Sequence, residues 1–156
     1  MAELPLEQIK YYSEKYGLDE KHVQACILTE SDGERYSCRY EPFYKYLYFP
    51  RDFAKNLNIS YETEEVMQKT SWGLMHPMGA VARELGFHGL LPMLTDVNLN
   101  LDIGCHKMKL LTQKYGKISD VIAAYNAGSV QKTPGGLYVN QKHVDRFDFW
   151  LRKVME

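Results

Sequence analysis

The sequence predicts a mostly α-helical protein, and three observations support that class. Apolar residues recur three or four positions apart in most segments of the chain. Residues that favour helix starts and ends flank these segments. No segment alternates convincingly between apolar and polar residues, although the stretch 36–49 still allows a minor β-hairpin. With 156 residues and no repeat or linker, the chain is expected to form a single domain over residues 1–156.

Each predicted helix combines this apolar spacing with a residue that suits its start or its end. Helices are expected over residues 4–16, 19–31, 50–57, 64–69, 78–85, 98–115, 118–126 and 144–154. Asp19 and Thr63 are candidate N-caps, and Pro50 and Pro77 suit a first helical turn.

The longest of these segments is expected to be a buried central helix. Leu101, Cys105 and Met108 share one side of it, and Asn98 or Asn100 lies near its start. A helix with such an apolar side is stabilised mainly by packing.

Composition narrows the class of partner. The 19 basic and 20 acidic residues nearly cancel, so no strong field would draw the protein to nucleic acid or an anionic membrane. No segment reaches membrane-spanning length, and no basic region precedes an apolar run at the N-terminus. We therefore expect synthesis in the cytoplasm without an export signal of its own. The 12 Tyr, 6 Phe and 2 Trp include side chains suited to lining a groove that binds sugars or peptides.

The cysteines do not form a metal or redox motif. Cys26, Cys38 and Cys105 cannot all pair, and none lies close to another in sequence. They are expected to be reduced, with Cys26 and Cys105 in the core. No metal and no cofactor is expected.

Glu30 is the residue that most needs a chemical explanation. It ends a predicted helix and shares a face with Val23, Cys26 and Ile27, which should point into the core. Burial and the negative end of the helix dipole both favour the protonated acid. A general acid has to be protonated to work at neutral pH.

Three segments, read in order, resemble one known family. They are Glu30-Ser31, Ser71-Trp72-Gly73-Leu74-Met75-His76 and Ala124-Tyr125-Asn126-Ala127-Gly128. They resemble the Glu-Ser, Gly-Leu-Met-Gln and Ala-Tyr-Asn-Ala-Gly motifs of the soluble lytic transglycosylase and goose-type lysozyme family, and Tyr138 matches a later Tyr of its pattern. The resemblance covers most of the chain and implies a lysozyme-like helical fold. His76 departs from the pattern, since the family usually has Gln there, and His can titrate near neutrality.

Two further segments are similar to the compact family members of phages and prophages. They are Arg39-Tyr40-Glu41-Pro42 and Ala82-Arg83-Glu84-Leu85-Gly86-Phe87. This similarity implies bacterial cell-wall lysis by a phage, reached after phage-mediated release or as a virion component.

The resemblance implies a peptidoglycan lytic transglycosylase that acts as a monomer on glycan strands. It would cut the β-1,4 bond between N-acetylmuramic acid and N-acetylglucosamine. Glu30 would protonate the glycosidic oxygen and then take the proton of the muramic C6 hydroxyl, which leaves a 1,6-anhydro product.

The remaining site residues are also implied by the resemblance. Ser31 and Ser71 would orient or contact Glu30, and Met75 would pack beneath a sugar. His76 would offer a hydrogen bond to the substrate. Tyr125 and Asn126 would lie near the acid and the N-acetyl group, and Tyr138 would complete the site.

Other functions remain open at this point. An inverting lysozyme needs a second carboxylate about 6.5–9.5 Å from the acid, and its candidates are Glu41, Glu62, Glu64 and Glu65. A transglycosylase needs one carboxylate and is preferred. A glycan-binding module without catalysis and a structural phage protein are further alternatives. A cysteine hydrolase could draw on one of the three cysteines and on His22, His76, His88, His106 or His143, but no nucleophile motif supports it.

Overall fold

The computed structural model describes residues 2–156, and this range is mostly helical, as the sequence predicts. The helices are α1 (Leu6–Tyr16), α2 (Glu20–Ser31), α3 (Pro50–Leu57), α4 (Tyr61–Gln68), α5 (Gly79–Glu84), α6 (Val97–Tyr115), α7 (Ile118–Ala127) and α8 (Gln141–Met155). A 3₁₀ helix covers Leu91–Thr95, and the two strands are β1 (Cys38–Tyr40) and β2 (Thr70–Trp72). No helix within residues 2–156 is long and apolar enough to cross a membrane.

The chain divides into two compact units. The first unit combines the residues up to Gly33 with those from Cys105 onward, and the second unit is Glu34–Gly104. The residues of α6 are therefore shared between the two units. The expected single-domain organisation stays a prediction.

In the first unit, α2 packs mainly against α8, which also contacts α7. The side chains at the centre of this packing are fully or almost fully buried, among them Val23, Ile27, Ile122, Val144 and Phe147. Burial of such apolar side chains is the main force that holds the helices together.

The second unit contains the two strands, which pair antiparallel with Arg39 opposite Ser71. A small apolar core of Ala82, Leu91, Leu94 and Ile103 lies in the same unit. The hairpin that the sequence allows within residues 36–49 does not form there, since β1 pairs with a segment about 30 residues away in the chain. A strand this short has little local signal, because its stability comes from the partner.

A buried ion pair also lies in the second unit. Glu64 of α4 and Arg83 of α5 are both 0% exposed and form two hydrogen bonds, of 2.7 and 2.9 Å. Gln68 donates to the same carboxylate, and Arg83 Nη1 donates to the carbonyls of Phe87 and Gly89. Every charge in this pair is therefore compensated by hydrogen bonds.

The predicted range of α3 matches the structure, and the other helices begin and end within about three residues of their predicted bounds. Gly17 ends α1 in a left-handed conformation, and Asp19 caps α2 through a bond to the Lys21 amide. However, Ser60, not Thr63, caps α4, because its hydroxyl accepts from the Thr63 amide.

Two further differences concern the starts of α5 and α6. The N-cap of α5 is Met78, so Pro77 lies before the helix and not in its first turn. Asp96 accepts a hydrogen bond from the Leu99 amide at the start of α6. Asn100 consequently lies inside the helix, where it is buried and serves another segment.

Candidate active site

The carboxylate of Glu30 lies at the end of α2, in a mostly buried setting. Its side chain is 11% exposed, and Val23, Cys26 and Ile27 on the same face are fully or almost fully buried. Asp32 ends the helix in a left-handed conformation with φ of 56°. The burial expected from the apolar stripe is therefore confirmed.

His143 of α8 lies within bonding distance of this acid. Its Nε2 lies 2.9 Å from Glu30 Oε1, and its side chain is 17% exposed. Nε2 is buried and makes no hydrogen bond of acceptable geometry within residues 2–156. The contact thus has the distance of an ion pair without the geometry of a good hydrogen bond.

Lys107 of α6 and Tyr125 of α7 form a second group near Glu30. Lys107 Nζ donates to the Tyr125 carbonyl at 2.7 Å and lies 3.9 Å from the centre of the Tyr125 ring. Although the Lys107 side chain keeps some solvent exposure, burial of the ammonium lowers its pKa, against the opposing effects of Glu30 and Cys26. Burial raises the pKa of Tyr125 well above its usual value, so its hydroxyl remains a hydrogen-bond donor.

The cysteine chemistry considered above is disfavoured for Cys26. Burial raises the pKa of this thiol well above its usual value, and the charge of Glu30 raises it further. A nucleophilic cysteine needs the opposite shift, because the thiolate is the reactive form. Cys26, Cys38 and Cys105 form no disulfide within residues 2–156, and Cys26 and Cys105 are buried as expected.

Asn126 and Tyr138 have defined partners in the first unit. Asn126 is exposed, and its Oδ1 accepts from Asn140 Nδ2 at 2.8 Å, which leaves its own amide hydrogens for another acceptor. The Tyr138 hydroxyl donates to the carboxylate of Asp120 and contacts Ser119 Oγ at 3.1 Å. Burial, followed by Asp120, raises the pKa of Tyr138.

Ser31 bonds to its own helix, since its Oγ donates to the Ile27 carbonyl at 3.1 Å. Ser71 lies in the second unit, where its Oγ donates to the Arg39 carbonyl at 3.3 Å. The predicted action of both serines on Glu30 stays a prediction.

His76 is joined to two serines of the second unit. Its Nε2 lies 2.6 Å from Ser37 Oγ, and its Nδ1 lies 3.4 Å from Ser71 Oγ. The residue has a positive φ of 47°, which is uncommon outside glycine. His76 is therefore held in one orientation while part of its surface stays accessible.

Asn100 holds the segment that carries His76. Its Oδ1 accepts from the Met75 amide at 2.8 Å, and its Nδ2 donates to the carbonyls of Trp72 and Leu94 at 2.6 and 2.8 Å. Gly73 lies so close to this amide that any side chain there would collide with it. Met75 itself is completely buried, so its predicted contact with a sugar would require a neighbour to move.

The four candidate second carboxylates differ in availability. The Glu64 carboxylate is fully buried and bonded to Arg83. It cannot hold a water for attack on a sugar, so it is not a candidate. Glu41 pairs with Arg39 at 2.9 Å, and Glu65 pairs with Lys69 at 3.0 Å. Glu62 is exposed on α4.

Comparison with known proteins defines the class of this chain. The family model described as the transglycosylase SLT domain matches residues 7–143. The chain therefore belongs to the SLT family of transglycosylases, and its general class is that of a peptidoglycan lytic transglycosylase. No curated protein and no solved structure matches the chain significantly.

Among the residues that the structure places at these sites, the sequence points to His143 only as a candidate partner of a cysteine, and it does not point to Lys107 or Asn140. His143, Lys107 and Asn140 reach their partners from α6 and from the start of α8, and no local pattern marks them. The sequence does contain a sign that Asn100 is buried, because Asn100 shares one helix face with Gly104 and Met108 at intervals of four residues. A polar side chain on a buried face needs hydrogen-bond partners.

Proposed function

We propose that this protein cuts the β-1,4 bond between N-acetylmuramic acid and N-acetylglucosamine and leaves a 1,6-anhydromuramic end. The observation that carries the proposal is the setting of Glu30, a mostly buried carboxyl group at the end of α2. A carboxyl group at a mostly buried helix end is a suitable donor and acceptor of the proton that passes to and from the substrate. The SLT family match over residues 7–143 supports the substrate class.

Glu30 serves as both acid and base in this proposal. It first gives its proton to the glycosidic oxygen as the bond from C1 to that oxygen breaks. The resulting carboxylate then takes the proton of the C6 hydroxyl, whose oxygen bonds to C1 and closes the anhydro ring. Glu30 ends the cycle protonated, as it began, so no second carboxylate and no water is required.

The state of the other acids supports this preference over a lysozyme. A hydrolase of the inverting kind needs a second carboxylate that is free to activate water. Glu64 is fully bonded to Arg83, and Glu41 and Glu65 pair with basic side chains, so the exposed Glu62 is what is left of the four candidates.

In the second unit, His76 would present a hydrogen bond to the glycan, held by Ser37 and Ser71. In the first unit, Asn126 would bind an N-acetyl carbonyl through its amide hydrogens. The enzyme would serve bacterial wall lysis by a phage, acting at the wall after phage-mediated release or as a virion component. The segments 39–42 and 82–87 support this role through their similarity to compact phage members.

The test compares Glu30→Gln with wild type on purified peptidoglycan. We expect Glu30→Gln to lose at least about a hundredfold in rate, because Gln cannot transfer the proton. Glu14 is an exposed residue of α1. Glu14→Gln makes the same chemical change there, so it is the matched control and should keep full activity. Normal clearance by Glu30→Gln would refute the site, and wild-type binding to glycan without cleavage would favour a binding module.

A further inference from the structure

We propose that His143 is a positioning residue for Glu30. Its Nε2 would hold Oε1 of the carboxyl group, so that Oε2 is the oxygen that exchanges protons with the substrate. The inference rests on the proposed acid and base role of Glu30. It concerns a side chain of α8 about 110 positions further along the chain, which no motif marks.

The first support is the contact itself. The two atoms are 2.9 Å apart, and both side chains are mostly buried. Within residues 2–156, His143 is the one basic side chain within ion-pair distance of the Glu30 carboxyl group. Lys107 acts on Glu30 through its charge, while its own hydrogen bond goes to the Tyr125 carbonyl.

The second support is the unsatisfied state of the His143 nitrogen. Nε2 is shielded from solvent and has no aligned hydrogen-bond partner among the residues that the structure describes. A buried polar atom in that state costs about 1–3 kcal/mol, so such atoms call for a functional explanation. Catalytic hydrogen bonds are often misaligned without substrate and tighten in the complex. A small rotation of the imidazole or the carboxyl group would align this one.

The third support is how firmly the start of α8 is held. The His143 amide donates to the Asn140 carbonyl at 3.0 Å, and Asn140 Nδ2 donates to Ala123 and Asn126 of α7. Val144, next in sequence, is almost fully buried. A side chain on such a support loses little further entropy when it orients a partner.

Arg146 repeats the pattern one turn further along α8. Its guanidinium lies 2.7 Å from Asp32, two residues after Glu30. Two basic side chains at i and i+3 on α8 therefore face two acids at the end of α2. These two contacts fix the position of α8 along the end of α2.

The proton count of this arrangement is balanced. With Glu30 protonated on Oε2, His143 donates a hydrogen bond from Nε2 to Oε1. When Oε2 gives its proton to the glycosidic oxygen, the same N–H stabilises the new carboxylate. Oε2 then takes the proton of the C6 hydroxyl, and the proton on Nε2 never leaves the ring.

Two variants test this role on soluble glycan strands. His143→Leu removes the donor and should lower kcat by about tenfold to a hundredfold, with KM changed less than about twofold. His143→Gln keeps an amide donor and should recover most of kcat. His88→Gln, on an exposed histidine of the second unit, is the control and should leave both constants unchanged. Equal kcat for His143→Leu and wild type would overturn the proposal.

A second measurement does not depend on activity. Histidine ring nitrogens labelled with nitrogen-15 are observed by NMR in the wild type and in Glu30→Gln. The His143 signals should move and the His88 signals should not. Unmoved His143 signals would overturn the proposal even if the enzyme is active. If the wild type were inactive and the His143 signals still moved, the proposed function would be refuted. The contact between His143 and Glu30 would then still be supported.

Discussion

Two carboxyl groups, Glu30 in the first unit and Glu64 in the second, are both withdrawn from solvent but are partnered in opposite ways. Glu64 has a bidentate guanidinium and an amide donor, and all of these bonds have normal lengths. Glu30 keeps 11% of its side-chain surface and has one misaligned histidine within bonding distance among residues 2–156.

This difference separates a structural acid from a reactive one. A carboxylate whose oxygens are all bonded has no lone pair or proton to offer a substrate. A carboxyl group left incompletely bonded is costly for the fold but is free to exchange a proton. Burial alone therefore does not identify a catalytic acid, whereas burial with incomplete hydrogen bonding points to one.

The largest effect expected from this comparison is on stability. Glu64→Gln should lower the free energy of unfolding by about 3–5 kcal/mol, because it leaves Arg83 buried without its counter-charge. Glu30→Gln should change it by less than about 1 kcal/mol. Urea unfolding of both variants measures the two values.

The control for this prediction lies on the same helix. Glu62→Gln alters an exposed acid of α4 and should stay within about 0.5 kcal/mol of wild type. If Glu64→Gln were as stable as Glu62→Gln, the Glu64 to Arg83 pair would not support the second unit.

A smaller loss of stability is expected when Asn100 is replaced by Ala. Asn100→Ala removes three hydrogen bonds to the backbone of residues 72–75 and 94, and it leaves their buried groups unpaired. The free energy of unfolding should fall by about 1–3 kcal/mol. Thermal unfolding gives this value. A loss confined to activity, at unchanged stability, would mean that Asn100 does not hold this segment in the folded protein.

The smallest expected effect is on the pH dependence of stability, and it comes from the thiol of Cys26. The pKa of Cys26 is raised by burial, so the unfolded chain loses this proton first, from about pH 9.0. Stability due to Cys26 is complete below that pH and falls above it by up to about 1.4 kcal/mol per pH unit. Cys26→Ala should show a shallower fall between pH 8 and about pH 10.5. The pKa values of Tyr125 and Lys107 both depend on the charge of Cys26, so the difference between the two proteins reports the Cys26 thiol together with its effect on these two neighbours.

The sequence predicted most of the fold because most boundaries depend on local chemistry. Gly17 and Asp19 act within one turn of their helices, and Asp19 caps α2 as predicted. Ser60 and Thr63 are both good caps and bond to each other, so neighbouring residues alone could not decide between them. The pairing of β1 with β2 depends on contacts distant in sequence, which explains why the hairpin that the sequence allows does not form.

The candidate site was only partly predictable for a similar reason. Glu30 combines an apolar stripe with a helix end, and its burial could be inferred from those neighbours. His143 comes from another helix, and its sequence context is an ordinary amphipathic one. Glu64 lies in an acidic run of the kind that is usually exposed, and its partner Arg83 is 19 residues away, so the sequence does not indicate its burial.

The central claim is that Glu30 completes the reaction without a second carboxylate or a water. The most direct test is mass spectrometry of the products from purified peptidoglycan cut in water enriched in oxygen-18. Muropeptides that end in anhydromuramic acid, one water lighter than reducing products and free of the label, are the predicted result. Reducing ends that carry the label would contradict the claim and show that water attacks C1.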